Sequence, residues 1–328
     1  MGMETHDSAG LLRAFILNGE GGGSPIAWDG VHEWAPQAGA MWVHLDTEEP
    51  AAEEWLRELS GLDEVACDAL LADGTRPRCT SIGDGLLVIL RGVNLNPGAD
   101  PEDMVALRLW IDTKCMISLS RRRLTAVSDL AASVQSGTGP KNSADLLTVI
   151  AGHLLERMVP ALDDLSESAD TLEEKAVTGT PSELQEELAD VRRQVIALRR
   201  HLAPQREAMN RLAQATASCF DDEHSRTVKL HADQVTRYVE DLDELRDRTI
   251  VTHDLLSGRQ AEAMNRRMLM LSLVAAIFLP LGLIAGLLGA NVGGIPGAEN
   301  EWSFLAVCGL LIVVAALQLL VMRRMKWF

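Results

Sequence analysis

The chain lacks the cysteine pattern of a disulfide scaffold or a thiolate metal centre. Its five cysteines, at 67, 79, 115, 219 and 308, are odd in number and form no CxxC pair. That excludes a stapled fold and fits a reducing compartment. Basic charge is also short: 47 acidic residues oppose 30 basic ones, a net charge of −17. Such a balance repels nucleic acid and concentrates cations. There is no HExxH, no GxSxG and no phosphate-cradling glycine loop ahead of a helix bearing a lysine, so no enzyme class is indicated. The run Gly19–Gly23, interrupted by Glu20, has no such context and reads as a flexible turn. The polar, acidic start is not a secretory signal, and neither solenoid repeats nor low-complexity tracts are present.

One more absence turns into a presence. Met268–Leu288 and Trp302–Met322 are two apolar runs of 21 residues each without a charged side chain. At about 1.5 Å per residue each crosses the roughly 30 Å of a bilayer's hydrocarbon core. Arg266 and Arg267 precede the first run, and Arg323, Arg324 and Lys326 follow the second. The positive-inside rule then places both termini in the cytoplasm and the loop 289–301 outside. Residues 1–265 hold 45 acidic and 25 basic side chains, a net of −20.

Residues 1–140 read as an α/β domain. Leu11–Leu17, Met41–Leu45, Leu86–Val93, Met104–Ile111 and Cys115–Leu119 are short runs of β-formers bounded by turn residues. Pro50–Ser60 and Leu62–Ala72 read as helices between them. Gly137–Pro140 is a break. The region 141–267 reads as helical. Asn142 or Ser143 caps a helix to about Ala176, kinked at Pro160, and Pro181 opens another to about Ala217. Asp221 or Asp222 then caps a helix that meets only Pro280 before Gly289. It starts in the cytoplasm as a stalk and ends as the first span, so 268–328 forms the transmembrane part.

The stalk has two faces. Val228, Val235 and Leu242 recur at seven with Tyr238 and Leu245 between, an apolar seam. Asp233, Glu240, Asp247 and Asp254 also recur at seven, about 200° round the helix from the seam. Copies of such a helix around an axis would line a vestibule with carboxylates. Two spans per chain enclose no pathway, so transport requires an oligomer.

The string Gly286-Leu287-Leu288-Gly289-Ala290-Asn291-Val292-Gly293-Gly294-Ile295-Pro296-Gly297, set between two terminal spans, resembles the CorA superfamily of divalent-cation transporters, and within it the ZntB-type zinc transporter branch. Thr75-Arg76-Pro77-Arg78, Gly137-Thr138-Gly139-Pro140, Ala203-Pro204-Gln205-Arg206 and the tail Lys326-Trp327-Phe328 are similar to that branch as well. The magnesium-transporting branch has Tyr-Gly-Met-Asn followed by Phe, whereas this chain has Leu288-Gly289-Ala290-Asn291-Val292. Ala290 is smaller than the residue usual at that place.

The resemblance implies a funnel-shaped homopentamer in a bacterial inner membrane, moving divalent cations, zinc before others, with proton-driven uptake and no cofactor. It puts Gly289, Ala290 and Asn291 at the pore mouth, where a ring of carboxamide oxygens would hold a hydrated cation weakly. Met268, Leu271, Ala275, Leu279 and Gly282 follow the 3-4 spacing of one helix face and would line the pore, with Met268 and Leu271 as an apolar gate. Glu299 and Glu301 would gather cations outside. His224, His231 and His253 lie beside carboxylates as candidate cytoplasmic metal ligands. Neither span contains Asp, Glu or His, so the membrane path offers no tight zinc ligand and no proton relay. Two other readings stand beside zinc transport: a magnesium, cobalt or nickel channel, and a membrane-anchored sensor or scaffold.

Overall fold

The computed structural model describes residues 10–215, 217–290 and 301–324. The chain divides into two compact units, 1–253 and 254–328.

The first unit is built on a seven-stranded sheet in the order β2-β1-β3-β7-β6-β5-β4. Its strands are β1 (Leu11–Leu17), β2 (Gly23–Pro25), β3 (Met41–Asp46), β4 (Arg78–Ile82), β5 (Gly85–Gly92), β6 (Val105–Ile111) and β7 (Cys115–Ser120). The β3–β7 pair is parallel and every other neighbouring pair antiparallel, so the sheet is mixed. Short helices α1 (Trp28–His32), α2 (Pro50–Glu54) and α3 (Glu64–Leu71) lie in the connections, α2 running on as a π turn over Trp55–Leu59. On one face Val43, Leu45, Leu87, Ile117 and Leu119 pack on Leu56, Ala66 and Leu70. α4 (Thr125–Ser136) and α5 (Ser143–Glu156) follow. Asn142 caps α5 through its side-chain oxygen, which accepts from the Asp145 amide at 2.8 Å.

Proline acts at three places. A kink was expected at Pro160, but the helix stops. α5 ends at Glu156, and α6 (Val159–Thr178) starts afresh with Pro160 in its first turn, where a missing N–H costs nothing. Pro204 sits inside α7 (Pro181–Ala213). Next to it, the fully buried Gln205 accepts from the Arg91 backbone amide of β5 at 2.7 Å, fastening α7 to the sheet. Pro280 lies within α8 (Asp222–Leu288), a single helix of 67 residues that belongs to both units. The last helix is α9 (Ser303–Arg324).

The glycine run is not a loose turn. Asn18 Oδ1 accepts from the amides of Glu20 and Gly22 at 2.9 and 3.0 Å, and Gly139 donates to the Gly21 carbonyl at 2.7 Å. Gly21 has φ +102°, and a Cβ there would lie 2.9 Å from the Gly139 oxygen. Glycine is required by backbone packed on backbone.

Candidate ion pathway

In the first unit, α8 buries one side and exposes the other. Val228, Val235, Leu242, Tyr238 and Leu245 are buried, while Asp233, Glu240 and Asp247 are exposed, as is Asp254 where the second unit begins. Burial of the seam holds the helix and leaves the acidic line in water. Part of that line is neutralised within the helix, since Asp247 accepts from Arg246 at 2.7 Å. Two arginines tie α8 to its neighbours. Arg248 grips Glu173 of α6 at 2.8 Å and also bonds Asp170, and Arg199 of α7 pairs with Asp243. These pairs hold the guanidinium of Arg248 well above, and the carboxyl of Asp243 below, their ordinary ranges.

A groove of about 550 Å3 between α6 and α7 is lined by Asp164, Glu167, Glu187 and Asp190. It enlarges the acidic surface beyond the stalk line. The 3- and 4-residue spacing of acids along both helices was the available signal for it.

The candidate metal histidines are dispersed. His224 has a carboxylate at each ring nitrogen, Asp221 at 2.6 Å and Asp145 at 2.8 Å, so it clasps the start of α8 to the first turn of α5. His231 packs against Gly152 of α5, its Nε2 3.2 Å from where a Cβ would stand, and burial pushes its pKa down. His253 is exposed. Among the described residues no three His, Cys, Asp or Glu side chains converge on a point where a metal ion would sit.

His44 is a satisfied core group. Trp42 Nε1 donates to Ser118 Oγ at 2.9 Å, Ser118 donates to the Val43 carbonyl, and His44 contacts Ser118 at 2.9 Å and Ser120 at 3.3 Å. Burial, with the Arg13 charge behind it, pushes its pKa to about 3, against the pull of Ser118. A second neutral histidine went unread in the sequence. Burial first, then the Arg91 and Arg200 charges, push His201 to about 4. Arg91 spends its guanidinium on the carbonyls of Met104 and Thr75.

In the second unit, α8 from Asp254 to Leu288 and α9 carry almost nothing buried: among the described residues, only Leu256 and Met322. Of the residues on the proposed pore face, Met268, Leu271, Leu279 and Gly282 are exposed and Ala275 is half-buried. A Cβ on Gly282 or Gly286 would meet nothing within 4 Å, so the GxxxG spacing serves no packing inside one chain. Gly289 and Ala290 form the turn that ends α8. Asn291 and Glu299 lie outside the described residues. Glu301 is an exposed turn residue just before α9. One polar group joins the two helices: Gln318 Nε2 of α9 lies 3.5 Å from the Ala276 carbonyl of α8. The carbonyl stands four residues before Pro280, whose missing N–H leaves it without its usual helical donor.

The two apolar spans carry no charged side chain, and the first continues from the acid-faced stretch of the same helix, so any ion along them would meet little direct ligation. Comparison with known proteins bears on this. The family model for "CorA-like Mg2+ transporter protein" matches residues 37–324. The chain is 40% identical over 328 residues to the divalent cation transporter CmaX of Pseudomonas aeruginosa, covering 99% of this chain and 98% of that one. It is 35% identical over 320 residues to the zinc transport protein ZntB of Pectobacterium carotovorum subsp. carotovorum, covering 97% and 96%. The solved structure of full-length CmaX superposes with a TM-score of 0.86 at 39% identity, covering 99% of this chain and 100% of that one.

Proposed function

The chain belongs to the CorA-like Mg2+ transporter family, and from that premise we propose that this divalent-cation transporter carries zinc through the central pore of a homopentamer in the bacterial inner membrane. The observation that carries zinc is the 35% identity, spread over 97% of this chain, with a zinc transport protein. The pore face of α8 comprises Met268, Leu271, Ala275, Leu279 and Gly282. The exposure of Met268, Leu271, Leu279 and Gly282 in a single chain supports this, because copies of α8 around an axis would cover them.

The ion crosses hydrated. No Asp, Glu or His stands in either apolar span, 268–288 or 302–322, to strip its water. Gly289, Ala290 and Asn291 form the mouth, and neutral carboxamide oxygens there hold the outer water shell loosely enough for release. Glu299 and Glu301 raise cation concentration at the outer mouth, and Asp233, Glu240, Asp247 and Asp254 do so at the cytoplasmic end. Proton coupling, where present, works through these acids or through water.

The test is flux from liposomes holding the purified protein, with zinc against magnesium and with and without a pH gradient. Zinc flux above empty liposomes is expected, with magnesium slower. Magnesium flux that outruns zinc transfers the assignment to the magnesium, cobalt or nickel reading. No flux of either ion favours a membrane-anchored sensor.

A further inference from the structure

Pro280 interrupts the hydrogen-bond ladder of α8 in the middle of its apolar run. It has no N–H, so the Ala276 carbonyl loses the i+4 donor its helix would otherwise supply. In hydrocarbon no water replaces that donor, and the freed carbonyl must be satisfied by protein. Gln318 Nε2 lies 3.5 Å from this oxygen. The acceptor is a carbonyl, so chemistry fixes the amide with its NH2 towards α8.

The other end of the same amide, Oε1, is buried with no hydrogen-bond partner among the described residues. The side chain is therefore committed to the proline break at the expense of its own acceptor. Gln318 also lies on the covered side of α9, in step with the half-buried Leu311 and Ala315 and the buried Met322. Ahead of the terminal Arg323 and Arg324, it is the most polar side chain of α9.

We propose that Gln318 is a positioning residue: by donating to the Ala276 carbonyl it holds the Pro280 break, so that α9 sets the tilt of the α8 segment leading to the pore mouth. A proline break is the softest point of a helix. The segment beyond it carries Gly282, Gly286 and Gly289, which have no side chains with which to lock its direction. A single cross-helix bond at the break decides where that segment points. The consequence for flux rests on the transport reading above; the bond itself does not.

A double-substitution cycle in the full-length protein tests this, with zinc flux in liposomes and thermal unfolding in detergent as separate readouts. Gln318→Met keeps the length, removes the donor and makes α9 more apolar, so membrane insertion is not impaired. Flux should fall about three- to tenfold, the range expected for one interhelical bond, and the melting temperature should fall with it. Pro280→Ala returns an N–H to the Ala276 carbonyl. In that background Gln318→Met should change flux by less than about twofold and shift the melting temperature by less than half of what it does in the parent chain. Equal losses in both backgrounds would make Gln318 ordinary helix glue and overturn the proposal, as would no loss in the parent chain. If the parent chain passes no zinc, or Pro280→Ala alone stops flux, the melting cycle still decides whether the bond exists.

Discussion

The two units treat the same kinds of side chain in opposite ways. In the sheet-bearing unit Val43, Leu45, Leu90 and Leu107 are 0% exposed. In the second unit Leu271 is 73% and Ile312 70% exposed. The first unit hides its apolar surface from water with its own strands and helices. The second leaves that surface to its membrane surroundings, since two helices cannot bury the apolar faces of both against each other. Polar groups follow the same division. Buried ones in the sheet unit form local chains such as Trp42–Ser118–His44. In the helical unit the notable polar contact repairs a backbone carbonyl freed by proline. A core supplied by the chain itself gives independent stability; a surface finished by its surroundings gives function that depends on them.

The contrast can be broken most forcefully in the sheet. Leu107→Ala should destabilise the protein by about 2–5 kcal/mol through lost burial and a cavity, measured by denaturant unfolding in detergent. A loss near zero would mean that β6 is not in the core.

Acid should act next most strongly, again on the sheet unit. His44 has a folded pKa of about 3, below its unfolded value of about 6.5. The unfolded chain therefore binds the extra proton as pH falls through about 6.5. Stability from neutral His44 is complete above that pH and is lost below it. Between pH 7 and 5 the loss should be about 2 kcal/mol, with His201 adding in the same direction. Melting curves at the two pH values measure it, and His44→Gln should flatten the dependence.

On the other side of the comparison, Ile312→Ala should shift unfolding in detergent by no more than about 0.5 kcal/mol, as for an exposed side chain. A shift as large as that of Leu107→Ala would show that this face of α9 is covered in the assembly.

The smallest effect is expected at the acidic line. Asp247→Asn with Asp254→Asn should lower zinc flux about twofold at low salt and leave it unchanged at high salt, where screening removes the attraction. Flux independent of salt in both proteins would make those acids a solvated face.

Much of this was legible in the residues. β1 falls at the expected Leu11–Leu17, and α8 runs unbroken from Asp222 to Leu288 as the lack of early proline required. Other elements were not visible. β4 alternates poorly, with Arg78, Thr80 and Ser81 exposed, because it is the sheet's edge strand and buries little. β2 is Gly-Ser-Pro and counts as a strand only by pairing with β1. α4 passed as part of the α/β region without a signal of its own. At the candidate site, the exposure of the acidic line followed its heptad spacing, and the proposed pore face rests on the same periodicity. Gln318 followed from no spacing, since a lone amide in an apolar run declares no partner until the second helix is beside it.

The sequence by itself determined that two helices are apolar and uncharged enough to cross a membrane and that one of them continues an acid-faced stalk. It also fixed which residues share each helix face, and thereby the limits on ligand chemistry along the path. These follow from local rules, helical period and the cost of charge in hydrocarbon. Only the tertiary structure decided that the sheet is mixed with a single parallel pair, that His224 clasps α5, that Gly21 must admit the Gly139 backbone, and that Gln318 meets the carbonyl Pro280 frees. Each of these joins residues far apart in the chain, and such contacts depend on how whole elements pack rather than on the preferences of any one segment.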